Sequence, residues 1–363
     1  MARLFRIFAN VLHRPAVTGG LIAALTAFSC HALDAEFIDV ANGEDLVALP
    51  NSPWILASSM ASPSNPGGIY AINSHDHRVY HLYPPEGDVP VTESAENSPC
   101  PSPPGRLAPH GLSLARTDNG DVMLYAVNHE GRESIEIFSV RQNDKQAKPP
   151  SLAWRDCLPM PEGASANSVT AGATGVVYAT VAGPYFDLPS RIEPFPSSGV
   201  IALKPGGSWY TLAAFDNRLT NGIAMSADNK RVFVADWYQG SVLVLDTDNP
   251  GNPVATIELG FLVDNLRLGD EGSLWAGGHI ANHGDVMRCY NSDARQCAQP
   301  FGIARIDPES LEVYCQDRLP ALEQFDTATV ALANGGRLWL GTVRGRHLMV
   351  LHRAEEGDTC VAP

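Results

Sequence analysis

The stretch Leu219-Thr-Asn-Gly-Ile-Ala-Met-Ser-Ala-Asp-Asn-Lys-Arg-Val-Phe-Val-Ala-Asp236 reads as a polar mouth, a strand, a tight turn and a second strand. Asn221 stands at the mouth, Ser226-Ala-Asp-Asn229 makes the turn, and the β-rich run from Val232 to Ala235 returns. The same plan recurs in Leu262-Val-Asp-Asn-Leu-Arg-Leu-Gly-Asp-Glu-Gly-Ser-Leu-Trp-Ala-Gly277, with Asp264 and Asn265 at the mouth. It recurs again in Ala166-Asn-Ser-Val-Thr-Ala-Gly-Ala-Thr-Gly-Val-Val-Tyr-Ala179, with Asn167. In each copy the polar residue is expected just ahead of the first strand. A repeat that returns hard oxygen ligands to one equivalent position gathers them about a single axis, which suits a buried calcium ion.

Outward from these copies the chain is dominated by short apolar, β-branched and aromatic runs. Examples are Ile69 to Ile72, Val122 to Val127, Ile135 to Phe138, Val242 to Leu245 and Leu338 to Leu340. Leu56, Tyr125, Tyr178, Phe233, Trp275 and Trp339 recur at intervals of roughly 40 to 70 residues and read as third-strand landmarks of successive units. About 50 residues is the size of a four-stranded propeller blade, and six such units fill the chain beyond its leader. The expected fold is all-β: one six-bladed β-propeller over 33–363, its four-stranded blades surrounding a central calcium tunnel. No convincing amphipathic helix longer than a few turns stands out.

Residues 1–32 read as a secretory signal. Arg3, Arg6 and Arg14 precede an apolar run from about Ala16 to Phe28, and Ala32 is a reasonable last residue before cleavage. That run is well short of the roughly 20 residues that span a bilayer. Lipidation of Cys30 is the competing reading. Both send the protein out of the cytoplasm, as a secreted or periplasmic species. Beyond the leader six cysteines remain, an even number that suits disulfides in an oxidising compartment. Cys289 and Cys297 lie close enough in sequence to pair, and Cys100–Cys157 with Cys315–Cys360 are the leading choices for the rest. The chain of 363 residues carries a net charge of −15, which argues against nucleic acid or an anionic membrane as partner.

Three segments read as rim loops: Pro84 to Pro109, Tyr185 to Ser198 and His283 to Pro300. The first set of chemistry-bearing residues is Glu44, Asn167, Asn221, Asp264 and Asn265. Two carboxylates neutralise a divalent cation, and three amide oxygens complete a site that leaves room for water or substrate. The second set is histidine. His110 enters a strand in Pro109-His-Gly-Leu112 and His129 follows the next strand, so pairing of those strands would bring both imidazoles to one mouth. His279, in Ala276-Gly-Gly-His279, is a candidate for the pocket lining.

The motifs Gly43-Glu-Asp-Leu46, Pro109-His-Gly-Leu112, Leu124-Tyr-Ala-Val-Asn-His129, Asn221-Gly-Ile223 and Leu262-Val-Asp-Asn265 resemble the paraoxonase/arylesterase family, from about Glu36 to Ala276. The family is similar to the gluconolactonase-like calcium propellers. The resemblance implies two calcium ions in a central tunnel and hydrolysis of lactones and aryl esters, with phosphotriesters cut by some members. It implies Glu44, Asn167, Asn221, Asp264 and Asn265 as ligands of the catalytic calcium, and His110 with His129 as the catalytic pair. A second, structural calcium would take Asp45, the backbone oxygen of Leu112 and the residue after Asn167. That residue is Ser168 where the family pattern has Asp, which leaves the second ion in question. Cysteines near the start of the mature chain are missing. Closure of the ring is therefore expected from strand pairing of Glu36 to Val40 with the last blade.

Two functions follow. One is a hydrolase in which calcium polarises the carbonyl of a small lactone or ester while His110, or a carboxylate such as Asp264, acts as base. No Gly-x-Ser-x-Gly motif suggests a nucleophilic serine. The other is a non-catalytic, calcium-stabilised propeller that binds a partner or ligand through its rim loops.

Overall fold

The computed structural model describes residues 34–87, 98–142, 148–181, 198–290, 297–354, 357 and 359–362. The proposed leader and Cys30 lie outside them, as does most of the Tyr185 to Ser198 loop. Chain order begins with β1 (Ala35–Asp39). Blade one is β2 (Gly43–Ala48), β3 (Trp54–Ser59), β4 (Gly68–Asn73) and β5 (Val79–Tyr83). Blade two is β6 (Pro109–Arg116), β7 (Val122–Asn128), β8 (Ser134–Arg141) and β9 (Ser151–Pro159). Blade three is β10 (Ala166–Ala171), β11 (Val177–Val181), β12 (Gly199–Leu203) and β13 (Trp209–Ala214). Blade four is β14 (Thr220–Met225), β15 (Arg231–Asp236), β16 (Ser241–Asp246) and β17 (Ala255–Glu258). Blade five is β18 (Leu262–Leu268), β19 (Leu274–His279), β20 (Phe301–Ile306) and β21 (Val313–Leu319), with helix α1 (His283–Tyr290) between its middle strands. Blade six takes β22 (Val330–Asn334), β23 (Arg337–Gly341) and β24 (His347–His352) from the end of the chain and β1 from its start.

The six sheets are antiparallel and four-stranded. Their first strands, β2, β6, β10, β14, β18 and β22, touch in sequence and β22 returns to β2, so they form a ring around a channel. This is a six-bladed β-propeller. β1 closes it by pairing with β24, Ala35 opposite Leu351 through Asp39 opposite His347. That is the strand closure expected from the sequence, and it covers an edge that would otherwise present unpaired backbone.

Burial falls from axis to rim. All six residues of β14 are buried, whereas β17 buries only Ile257. Inner and middle strands are covered on both sides by neighbouring blades, which is why they read as near-continuous apolar runs. The apolar core is accordingly divided into clusters between blades. Leu56, Phe138 and Trp154 belong to the cluster joining blades one and two, and Phe233 and Leu266 to the one joining blades four and five. Trp339 packs with Leu46 and Ile55 where blade six meets blade one.

Two expectations are corrected. Leu56, Tyr125, Tyr178, Phe233, Trp275 and Trp339 do fall one per blade, but all six sit in second strands rather than third. Large buried side chains are not confined to second strands: Trp154 lies in β9, Tyr83 in β5 and Phe138 in β8. The segment from His283 to Pro300 is not all loop: it starts with α1, where Asn282 caps the backbone N–H of Asp285 at 2.9 Å. The three expected disulfides, Cys100–Cys157, Cys289–Cys297 and Cys315–Cys360, are all present.

Candidate active site

Five of the six innermost strands break register near their first residues. The breaks fall between Gly43 and Asp45, Pro109 and Leu112, Ala166 and Val169, Thr220 and Ile223, and Val263 and Leu266. A bulge leaves a residue out of the ladder and re-aims its side chain. The residues inside the breaks are Glu44, His110 and Gly111, Asn167 and Ser168, Asn221 and Gly222, and Asp264 and Asn265. The ligand candidates therefore lie within the innermost strands, not ahead of them as the sequence repeat suggested. Bulging, rather than loop position, is what frees them from the sheet.

The glycines of the His-Gly and Asn-Gly motifs have a steric reason. A β-carbon on Gly111 would come within 2.5 Å of the Cα of Ser168, and one on Gly222 within 2.5 Å of the Cα of Asn265. Neighbouring bulges approach too closely there for any side chain.

Glu44 Oε2, Asn167 Oδ1, Asn221 Oδ1 and Asn265 Oδ1 are buried and have no hydrogen-bond partner. A single orphaned oxygen costs roughly 1–3 kcal/mol, so four on equivalent bulges are a large uncompensated cost. Asn265 Nδ2 donates to Glu44 Oε1 at 2.5 Å, and Asp264 Oδ2 pairs with His279 Nε2 at 2.8 Å. Burial, followed by the charge of Asp264, pushes the Glu44 carboxyl up to about 8. A hard cation would relieve both the orphaned oxygens and the carboxylate repulsion, and these residues could hold one. Among the described residues no cluster of three or more His, Cys, Asp or Glu side chains is arranged for a metal. Here three of the five candidate donors are amides.

The histidines form a chain. His110 Nδ1 lies 3.1 Å from His129 Nε2, and His129 Nδ1 lies 2.9 Å from Glu133 Oε2, which also accepts from Ser165 Oγ at 3.3 Å. The other nitrogen of His110, Nε2, is 3.7 Å from Glu44 Oε1. Burial and His129 hold His110 down at about 3, so it is a neutral imidazole near pH 7. Glu133 was not anticipated from the sequence. Its neighbour Glu130 points elsewhere, 3.3 Å from Arg106.

His110, His129, Glu133 and Asn167 face a cavity of about 610 Å³ whose other walls include Met60, Met160 and Tyr290. Tyr290 comes from the last turn of α1. The Arg344 guanidinium sits 4.8 Å over its ring and donates to its carbonyl at 2.7 Å, holding the helix end over the cavity. Burial raises the Tyr290 hydroxyl against the pull of Arg344, and Glu44 and Asp264 add to the rise. His279 does not share this wall. Only 2% exposed, it is held between Asp264 and Thr327, its Nδ1 3.1 Å from Thr327 Oγ1.

Asp45 and Leu112 lie deeper, and the structure places an arginine between them. Arg267 Nη2 meets the Asp45 carboxylate and donates to the Leu112 carbonyl at 3.0 Å. Ser168 Oγ is buried without a partner. Two of the three donors expected for a second calcium, Asp45 and the Leu112 carbonyl, are therefore already engaged by the chain itself.

Comparison with known proteins agrees with this architecture. In fold the molecule is similar to solved β-propeller structures. A gluconolactonase from Xanthomonas campestris superposes with a TM-score of 0.52 at 14% identity, over 88% of this chain and 89% of that one. The family model Arylesterase matches residues 30–350, and the chain belongs to that family. Human serum paraoxonase/arylesterase 2 is 24% identical over 327 residues, covering 85% of each chain. Rat serum paraoxonase/lactonase 3 is 26% identical over 269 residues, 69% of each.

Proposed function

We propose that this protein is a calcium-dependent hydrolase of lactones and aryl esters that works outside the cytoplasm. The observation that carries this reading is the set of four orphaned, buried oxygens on equivalent bulges beside the His110–His129–Glu133 chain. Glu44, Asn167, Asn221, Asp264 and Asn265 would hold the ion. When bound, calcium supplies a Lewis acid that polarises the ester carbonyl and stabilises its developing negative charge.

The chain's own residues supply the rest. His110, neutral and at the cavity wall, accepts a proton from the water whose oxygen attacks the acyl carbon. His129 holds the ring of His110 in place, and the Glu133 carboxylate fixes the tautomer of His129. The acyl C–O bond then breaks, and the proton on His110 passes to the leaving oxygen. A lactone thus yields a hydroxy acid, and an aryl ester yields a phenol and an acid. Met60, Met160 and the Tyr290 ring offer an apolar wall, which favours lactones with an acyl tail and aryl esters over small charged substrates.

Three disulfides and the arginine-led apolar start of the sequence support export. No helix among the described residues is long and apolar enough to cross a membrane. The reading is tested by offering a panel of lactones, phenyl acetate and a phosphotriester with and without added calcium. Hydrolysis of none of them, or equal hydrolysis in excess chelator, sinks it.

A further inference from the structure

The channel has a second polar site below the bulges, and its chemistry differs from the first. Arg267 stands in the inner strand of blade five with 7% of its surface exposed. Its Nε donates to the Leu46 carbonyl at 3.0 Å, its Nη1 to the Leu266 carbonyl at 2.6 Å, and its Nη2 to the Leu112 carbonyl at 3.0 Å and to the Asp45 carboxylate. One guanidinium thus joins blades five, one and two across the axis.

Both oxygens of Asp45 are engaged. Its Oδ1 accepts the backbone N–H of Leu46 at 2.8 Å, and its Oδ2 accepts that of Leu112 at 2.7 Å as well as Arg267. Ser168, the third member of the expected shell, contributes a neutral hydroxyl. Charge is balanced by one carboxylate against one guanidinium. A divalent ion added here would have to displace a rigid five-donor fork and would face its positive charge at a site where Arg267 is 7% exposed.

We infer that this chain carries a single calcium, at the bulges, and has replaced the second, structural ion with Arg267, so that the propeller's integrity is independent of metal. The count of one rests on the function proposed above; the exclusion of a lower ion does not.

The test is metal content and calcium titration of the purified full-length protein. After exhaustive chelation and reloading, one tightly bound calcium per chain is expected, and far-ultraviolet circular dichroism should be the same before and after chelation. In Asp264→Ala no tight calcium should remain. A second tight ion in the wild type that persists in Asp264→Ala, or loss of the folded spectrum on chelation, overturns the inference while leaving the hydrolase reading intact. No bound calcium at all would instead sink the hydrolase reading and leave the role of Arg267 standing. As a positive arm, Arg267→Ala combined with Ser168→Asp vacates the site and adds a carboxylate. This double variant should bind one calcium more than wild type, and that ion should raise its Tm. If the pair does not fold without calcium but folds with it, the same conclusion holds. A count unchanged from wild type with the fold intact counts against it.

Discussion

The two ends of the central channel are built from the same six strands yet end in opposite states. At the bulged end Glu44, Asn167, Asn221 and Asn265 each leave a buried oxygen without a partner. Below it, Asp45 and the carbonyls of Leu46 and Leu112 are all taken by Arg267. A buried polar cluster left open is tolerable only if a ligand completes it, whereas one closed by the chain completes itself. The contrast separates a site built for exchangeable chemistry from one built for cohesion. The far mouth makes the same point. A cavity of about 680 Å³ opens there, larger than the one at the histidines, but it is lined by strand ends and turns with no histidine among them. Volume alone does not mark the active end.

If the open end needs an ion and the closed end does not, chelation should take activity to background while leaving the melting transition cooperative. Asp264→Ala should do the same, because a site with two carboxylates has none to spare. Turnover that survives exhaustive dialysis against chelator would break the comparison outright.

Within the open end, the histidine chain sets the next largest effect. His110→Gln should lower kcat by about 10²–10⁴-fold, the usual contribution of a general base. Calcium affinity should be unchanged, since His110 is not among the donors. His129→Gln should cost less, and Glu133→Gln about 10-fold, as expected of a group that orients rather than reacts. Steady-state kinetics with a chromogenic aryl ester give all three values. Wild-type turnover in His110→Gln would move the base to a carboxylate.

These positions differ in how visible they were beforehand. The blade count and the polar residues of the bulges follow from short-range patterns, whereas the closing strand, Ala35–Asp39, was expected because cysteines of the family pattern are missing. Strand runs and turns repeat at blade spacing, and each bulge carries its own polar residue. Contacts between blades leave no such local mark. Glu133 lies four residues beyond His129, ahead of β8, and nothing local distinguishes it from Glu130. Tyr290 was hidden because α1 is a short helix leading into the Cys289–Cys297 disulfide, in a segment that reads as loop, although Asn282 and Asp285 form its capping signal. Arg267 did leave a trace. A charged residue between Leu266 and Leu268, on a strand destined for the axis, demands a buried partner. Its partner is 222 residues away, in Asp45. Pairing at that distance is set by ring closure, which no window of sequence contains.

The closed end has its own test. Arg267→Met keeps the volume but leaves Asp45 buried without its counter-charge, so unfolding should cost about 3–5 kcal/mol less than in wild type. Pairing it with Asp45→Asn should recover part of the loss, because the remaining group is then neutral. Urea denaturation monitored by tryptophan fluorescence gives both values. If Arg267→Met is as stable as wild type, the guanidinium is not a strut and the contrast between the two ends weakens.

The smallest expected effect sharpens the comparison by pH. Asp326 lies on the approach to β22, next to Thr327, which pairs with His279 behind Asp264. It is 1% exposed, and burial pushes its carboxyl from the ordinary 3.8 up to about 6 against the pull of the Cys297 backbone. The folded protein therefore binds this proton more tightly than the unfolded chain does. Its contribution to stability is fully present below about pH 4, falls as the pH rises toward 6, and is lost above that. The loss is on the order of 3 kcal/mol near pH 7. Asp326→Asn removes the titration without removing the shape. The stability of Asp326→Asn minus that of wild type should rise by about that amount between pH 4 and pH 7 and then stay level. Chemical denaturation of both proteins across this range, in the presence of chelator so that calcium at the bulges does not enter, measures the difference directly. A difference that stays flat from pH 4 to pH 7 would mean that Asp326 keeps an ordinary carboxylate affinity.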